Sequence, residues 1–249
     1  MISRLIRLLN SLLGFIVLMI LWQVSVDIFE IRPYLLPSIM SVAQSAWEYR
    51  SDIFSHSLVT TVQVIYGFGA AVIGGIIISL LVFVNAPIRR IVMPVVIAIQ
   101  GVPKVALAPL FVVWFGYGTM SKVLMAFFFA FFPIVISTLG GFAGTPVHLV
   151  EHFRALDASA TTTFWRLRVP SALPNFIDGC KMAMPLAVIG VIVGEFVGSE
   201  AGLGNLLLLA NASARTDLMF ASIITITAIS GLLYGIIYLF GRLVWWRAL

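Results

Sequence analysis

Six apolar stretches separated by short polar segments dominate the chain. They run over about 8–26, 58–84, 91–115, 123–142, 176–197 and 218–240, each near the roughly 20 apolar residues a helix needs to cross a bilayer core. The 3.6-residue alternation is weak within them, as expected where most faces meet lipid or another helix. The second is unbroken by charge, the third is interrupted by Pro103 and Lys104, and the fourth holds the aromatic run Phe127–Phe129 with Phe131 and Phe132. Two connecting segments are long. Residues 27–57 mix polar and apolar positions (Pro37, Ser38, Val42, Trp47) and predict an interfacial helix before the second span. Residues 144–174 predict a short helix, a polar turn around Ser159–Thr163, and a second short helix stopped at Pro170. The whole, 1–249, reads as a single all-α transmembrane domain.

Composition narrows this further. Of the 249 residues, 61% are hydrophobic and 10% charged, and the mean hydropathy is +1.10. Soluble domains carry about 25% charged residues, so water cannot be the main solvent, and soluble enzymes and nucleic-acid binders are excluded. The net charge of +5 is scattered between apolar runs rather than clustered. Arg4 and Arg7 precede the first stretch as in a signal peptide, but Trp22, Gln23 and Asp27 stand where a small-residue cleavage site belongs, which predicts a retained helix. Six spans place both termini on one side. With the termini inside, ten of the fifteen Lys and Arg fall inside, four (Arg32, Arg50, Lys122, Arg215) fall outside, and Lys104 falls in the membrane. The excess of basic residues on cytoplasmic loops predicts cytoplasmic termini. The single Cys180 excludes an intrachain disulfide framework and a cysteine-based zinc site.

Moving solutes takes energy, and the chain lacks the means to hydrolyse ATP. A phosphate-binding loop ends in Gly-Lys-Ser/Thr, whereas Lys104, Lys122 and Lys181 follow Pro103, Ser121 and Cys180. ATP and its Mg would therefore belong to partner chains, and no cofactor is expected in this one. One catalytic pattern exists. His148, Glu151 and His152 match His-x-x-Glu-His, an inverted zinc-protease arrangement, which leaves an intramembrane zinc protease as a remote alternative lacking an evident third ligand.

Segment 144–174 carries the most information. Phe153, Leu156, Phe164, Trp165 and Leu167 are large apolar groups in an otherwise polar loop, the composition of a docking knob or of a helix lying on headgroups. Glu151 opens the loop, Asp157 follows six residues on, and Leu167-Arg168-Val169-Pro170 closes it. This spacing resembles the cytoplasmic EAA motif of the permease subunits of bacterial binding-protein-dependent ABC importers: Glu-Ala-Ala, three residues, Gly, nine residues, Ile-x-Leu-Pro. His152 and Phe153 replace the alanines, and Asp157 replaces a glycine whose freedom permits a sharp turn; Asp tolerates left-handed backbone better than most residues. Gly101-Val-Pro-Lys-Val-Ala-Leu-Ala-Pro-Leu110 with Trp114-Phe-Gly116, and Gly194-Glu195-Phe-Val-Gly198 with Gly202-Leu203-Gly204, are similar to the nitrate/sulfonate/taurine/pyrimidine-precursor branch. The resemblance implies a type I (MetI-like) permease in a bacterial inner membrane, paired with a second copy as a homodimer. It also implies two ATP-binding cassette subunits seated on coupling helices, and an external substrate-binding protein docking over 27–57 and 198–217. Glu151, Phe153, Arg154, Leu156, Asp157, Ala158, Ser159, Phe164, Trp165 and Pro170 are then the coupling residues.

Within the membrane, a charge at mid-span costs at least about 2.5–3.5 kcal/mol, so Lys104 must face protein or a cavity. It either lines a substrate pathway for a small polar or anionic solute or is neutralised by Glu195 or by carbonyls freed at Pro103. Gln100, Pro103, Trp114 and Glu195 are further pathway candidates, Glu195 being expected near the outer end and partly hydrated. Gly190, Gly194, Gly198 and Gly202 recur every four residues, a small-residue seam that lets helix backbones approach. An ion-coupled transporter or channel is the alternative function; it would need internal repeats and several intramembrane ionisable groups, and neither is evident.

Overall fold

The computed structural model describes residues 2–245; Met1 and residues 246–249, including Arg247 of the charge count, lie outside the described residues. Among those described, the regular structure is entirely helical. In chain order it comprises α1 (Ile2–Ile28), α2 (Ile39–Glu48), α3 (Arg50–Val84), α4 (Ala86–Gln100), a 3-10 turn (Lys104–Ala106), α5 (Leu107–Phe115), α6 (Thr119–Ala143) and α7 (Val147–Ala155). Then come α8 (Ala160–Thr163), a π turn (Phe164–Arg168), α9 (Val169–Gly198), α10 (Leu203–Ala212) and α11 (Thr216–Trp245).

By length and hydropathy, four of the described helices can cross a membrane: Arg50–Val84, Thr119–Ala143, Ala160–Gly198 and Thr216–Leu243. The expected third span is not one rod. α4 and the segment Lys104–Phe115 meet at an 84° bend, because Pro103 removes a backbone donor and clashes with the preceding turn. The expected first stretch, 8–26, falls within the single 27-residue helix α1. Further corrections concern boundaries. α3 starts at Arg50, well before the expected 58. α6 starts at Thr119 and takes in Lys122, which had been counted as a loop residue. Pro170 does not stop a helix but sits in the first turn of α9, where a missing N–H is no loss.

Three helices form the centre. Small residues of α3 (Ala71), α6 (Ala126, Ala130) and α9 (Ala183, Ala187) interleave with Val64, Ile134 and Val191, all fully buried. At one end of this bundle, the loop end, the rings of Phe83, Phe142 and Phe164 pack 5.2–6.2 Å apart, bringing together the ends of α3 and α6 and the approach to α9. At the opposite end Thr60 of α3 bonds Glu195 of α9, and Lys122 of α6 bonds the Gly198 carbonyl. α3 and α6 therefore run in the same direction and α9 runs against them. The chain leaves α3 at the loop end and enters α6 at the other, so the bent α4–α5 pair has to climb the full height of the bundle. α11 packs on α9 through Gly241 against Ile177 and on α10 through Leu218 and Ala221, which cluster with Leu203 and Leu206.

The carboxylate end is closed by a clasp of two ionisable side chains, both fully buried. Glu195 accepts from Thr60 Oγ1 at 2.8 Å and from the Gly204 N–H at 2.6 Å. Thr60 Oγ1 in turn accepts from the Leu203 N–H at 2.8 Å. Together they satisfy two of the otherwise orphaned donors in the first turn of α10. Gly202, before that turn, holds φ +111° with the Glu195 carboxylate where a Cβ would stand. It is a turn residue rather than the fourth member of a helical seam. Lys122 donates to Tyr117 O at 2.5 Å, to Gly118 O at 3.1 Å and to Gly198 O, which joins the α5–α6 turn to the end of α9.

Lys122→Met leaves the buried Gly198 carbonyl and the part-buried Tyr117 and Gly118 carbonyls without their donor, and a buried unsatisfied acceptor alone costs about 1–3 kcal/mol. The expected result is a purified protein whose thermal unfolding midpoint falls sharply, with Lys122→Arg recovering part of the loss. Gly190→Val forces a side chain onto Met125 O and Ala126 Cα, 2.7 and 2.9 Å from the Cβ position. It should cost more than the roughly 1–3 kcal/mol of ordinary overpacking. Gly69→Val, whose Cβ position is open, should leave detergent-solubilised yield and melting nearly unchanged.

Candidate functional site

The loop predicted to engage a partner is built from two capped helices. α7 ends in a Schellman motif: the Ala158 N–H reaches Phe153 O at 3.0 Å, and the Asp157 N–H reaches Arg154 O at 3.0 Å. That geometry needs a left-handed residue after the helix, and Asp157 supplies it with φ +51°. Ser159 then caps α8, its Oγ accepting from the Thr162 N–H at 3.2 Å. Glu151, Arg154, Leu156, Asp157 and Ser159 are exposed, while Phe153 and Ala158 are half-buried.

Beyond α8 the backbone widens into the π turn, with the Val169 N–H reaching back to Phe164 O. This feeds α9 without a break, so the loop and a membrane-spanning helix form one continuous element. Phe164 turns inward to Phe83 and Phe142. Trp165 is exposed, Pro170 is half-buried, and Leu167 is buried. Arg168 stacks over the Phe83 ring at 5.0 Å and donates to Phe142 O at 3.3 Å. The loop is thus anchored through Phe164 and Arg168 and leaves its α7–α8 turn free. These inward contacts could not be read from sequence spacing, since residues 83, 142 and 164 lie on separate helices.

His148, Glu151 and His152 stand on α7. Among the described residues no cluster of three His, Cys, Asp or Glu side chains is placed to hold a metal. The pattern is two turns of a surface helix whose third ligand does not exist there.

The intramembrane candidates divide into two groups. Gln100, Pro103, Lys104 and Trp114 all lie on the bent α4–α5 pair, with Gln100, Pro103 and Trp114 exposed and Lys104 half-buried. Lys104 Nζ lies 5.0 and 5.6 Å from the Phe132 and Phe129 ring centres on α6, and no carboxylate pairs with it among the described residues. Glu195 is elsewhere. It sits beside Lys122, two to three turns of α6 away from Phe129 and Phe132, or roughly 10–15 Å along the helix. The two expected partners are therefore apart, and Glu195 is fully buried, its carboxylate bonded to Thr60 and Gly204 rather than at an exposed outer end. Gly190, Gly194 and Gly198 face α6 and the α5–α6 turn, their Cβ positions meeting Met125 and Ala126, Lys122, and Tyr117 respectively. Lys122 was missed as a structural cation because its neighbours in sequence, Thr119 and Ser121, read as loop.

Residues 67–245 match the family model described as binding-protein-dependent transport system inner membrane component. The formylaminopyrimidine transport permease protein ThiX of Halalkalibacterium halodurans is 40% identical over 197 residues, covering 79% of this chain and 78% of that protein. The riboflavin transport system permease protein RibX of Chloroflexus aurantiacus is 33% identical over 234 residues, covering 93% and 87%. Among solved structures, a chain of the MetNI methionine ABC transporter in an inward-facing conformation superposes with a TM-score of 0.62 at 20% identity, over 84% of this chain and 98% of that one. The family match and these two relatives set aside the metalloprotease and ion-coupled transporter readings. The chain belongs to the family of binding-protein-dependent transport system inner membrane components, and it is the permease subunit of an ABC importer, a transport component rather than an enzyme.

Proposed function

We propose that this permease forms the pathway for a small polar or anionic solute and that the solute passes along the α4–α5 bend beside Lys104. The supporting observation is a cation at the break of a bent segment, held over two aromatic rings with no carboxylate paired to it among the described residues. Such a group inside a membrane protein marks a substrate route more often than scaffolding, and irregular backbone at that depth is tolerated where it lines a cavity. The solutes named for the two relatives, a formylaminopyrimidine and riboflavin, are polar nitrogen heterocycles and are the first to test.

In this reading the loop end is cytoplasmic and α1 supplies the sixth crossing. A second copy completes the pathway as a homodimer, and the α7–α8 turn of each copy seats an ATP-binding cassette subunit. Nucleotide-driven closure shifts the permease only if the turn makes different contacts in the two states, and the rigid continuity of α8, the π turn and α9 carries that difference into the membrane. An external binding protein delivers the solute over the end that bears α2 and α10.

Two measurements on the full complex in proteoliposomes test this. Lys104→Met should lower ATP-dependent uptake about tenfold or more while assembly and basal ATPase activity stay normal, the loss of one charge-assisted contact of about 1.5–3 kcal/mol; unchanged uptake removes the pathway role. At the αL position, Asp157→Gly should retain stimulation of ATPase activity by the loaded binding protein. Asp157→Val, a β-branched residue forced to positive φ, should uncouple hydrolysis from uptake. Normal coupling in the valine variant would sink the lever assignment.

A further inference from the structure

A cleft of about 670 Å³ opens at the loop end between the last turns of α3, the start of α4 and the α8–π turn segment. Leu81, Val84 and Ile88 form its apolar wall, and Asn85, Thr161 and Arg168 form its polar margin. The wall does not stop at the cleft. Val84, Leu81 and Ile77 make one stripe along α3, and they are 70%, 45% and 50% exposed. The stripe climbs about 10 Å into the bilayer from the cleft. At the rim Trp165 is 62% exposed, the placement of an aromatic ring at a membrane–water boundary.

One basic side chain lines the cleft, and three more lie within two residues of its lining positions. Arg168 lines the cleft. Arg89 and Arg90 stand exposed one and two residues beyond Ile88, and Arg166 is exposed beside Trp165. None of these four has a carboxylate within ion-pair distance among the described residues. Of the acidic residues on segments at this end, Glu151 and Asp157 belong to the free turn of the loop, and Asp178 is held by Lys181 at 2.8 Å. Arg168 is also fixed in place by the Phe83 ring and the Phe142 carbonyl, so its remaining donors are pre-oriented at little further entropic cost.

We infer that this cleft is a binding site for one anionic phospholipid, its phosphate held by Arg168 with Arg89 and Arg90 and one acyl chain lying along Val84, Leu81 and Ile77. The planar guanidinium fork matches phosphate oxygens. An apolar stripe that continues into hydrocarbon suits an amphiphile and cannot be followed by a soluble partner. Basic pockets between membrane helices take acidic headgroups for the same reason. The bound lipid would bridge the end of α3 to the segment that joins the loop to α9, the junction on which coupling turns.

The test uses the complete transporter, with its ATPase subunits, in nanodiscs that carry a small fraction of dibrominated lipid, either phosphatidylglycerol or phosphatidylcholine. The signal is the part of tryptophan fluorescence removed by Trp165→Phe. Quenching of this part should favour dibromo-phosphatidylglycerol by at least roughly fivefold at equal mole fraction, since each arginine near an acidic headgroup adds about that factor. The preference should fall severalfold in Arg168→Gln and in the double variant Arg89→Gln/Arg90→Gln, and stay unchanged in Arg32→Gln near the opposite end. Arg168 also supports the fold, so if its variant fails to assemble the exposed double variant decides. Equal quenching by the two lipids overturns the site. So does a preference that survives the double variant, or a Trp165 shielded from both lipids by a protein neighbour. None of these outcomes bears on uptake, so an active importer without lipid preference defeats this inference alone.

Discussion

The close contact of α6 with α9 is the constraint from which the rest of the architecture follows. In lipid there is no hydrophobic gain from pressing one apolar helix on another, and stability comes from close packing and from polar groups that find partners. Gly190 and Gly194 bring the α9 backbone onto Met125, Ala126 and Lys122. At that separation Lys122 reaches the Gly198 carbonyl and lies near Glu195. A wider spacing would take Lys122 from the Gly198 carbonyl and leave that acceptor unpaired in a dry environment, where an orphaned polar group costs several kcal/mol. The small-residue seam and the buried clasp are therefore one device: the seam permits the approach, and the clasp makes a single register of the two helices far more stable than its neighbours.

This core holds the two functional ends in fixed relation. At the carboxylate end, Glu195 and Thr60 organise the first turn of α10, so the surface there is set by the same residues that lock α3 to α9. At the loop end, the Phe83–Phe142–Phe164 triad and the stacked Arg168 tie the 144–174 loop to α3 and α6. The π turn is the one place between loop and span where the helical ladder is loosened. Such turns mark functional positions in helices, and here the turn itself carries the anchors Phe164 and Arg168 while the α7–α8 turn before it is left free.

Between the ends the α4–α5 pair departs from the rigid bundle. It is bent at Pro103 and packs on α6 chiefly through Ala108 and Phe111 against Met125 and Phe129, with much of its remaining surface open. A bent segment of this kind needs neighbours to satisfy its freed backbone groups. In the proposed pathway a second permease and the passing solute fill that role.

The amino-acid sequence alone determined a good deal. Hydrophobic runs of spanning length fixed the solvent as lipid and the class as all-helical, because no other structure satisfies its backbone there. The spacing from Glu151 to Pro170 located the loop, since a local motif is written in consecutive residues; even the left-handed position of Asp157 was legible. The tertiary structure alone decided which polar groups belong together. Lys104 and Glu195, the two intramembrane charges visible in the sequence, are not partners. Glu195 lies beside Lys122, whose place inside a helix was hidden by the polar residues around it, and Gly202 left the four-residue repeat to form a turn. The physical reason is common to all three. Long-range pairings depend on helix direction and rotation, and in helices apolar on nearly every face the pattern of residues carries almost no information about either.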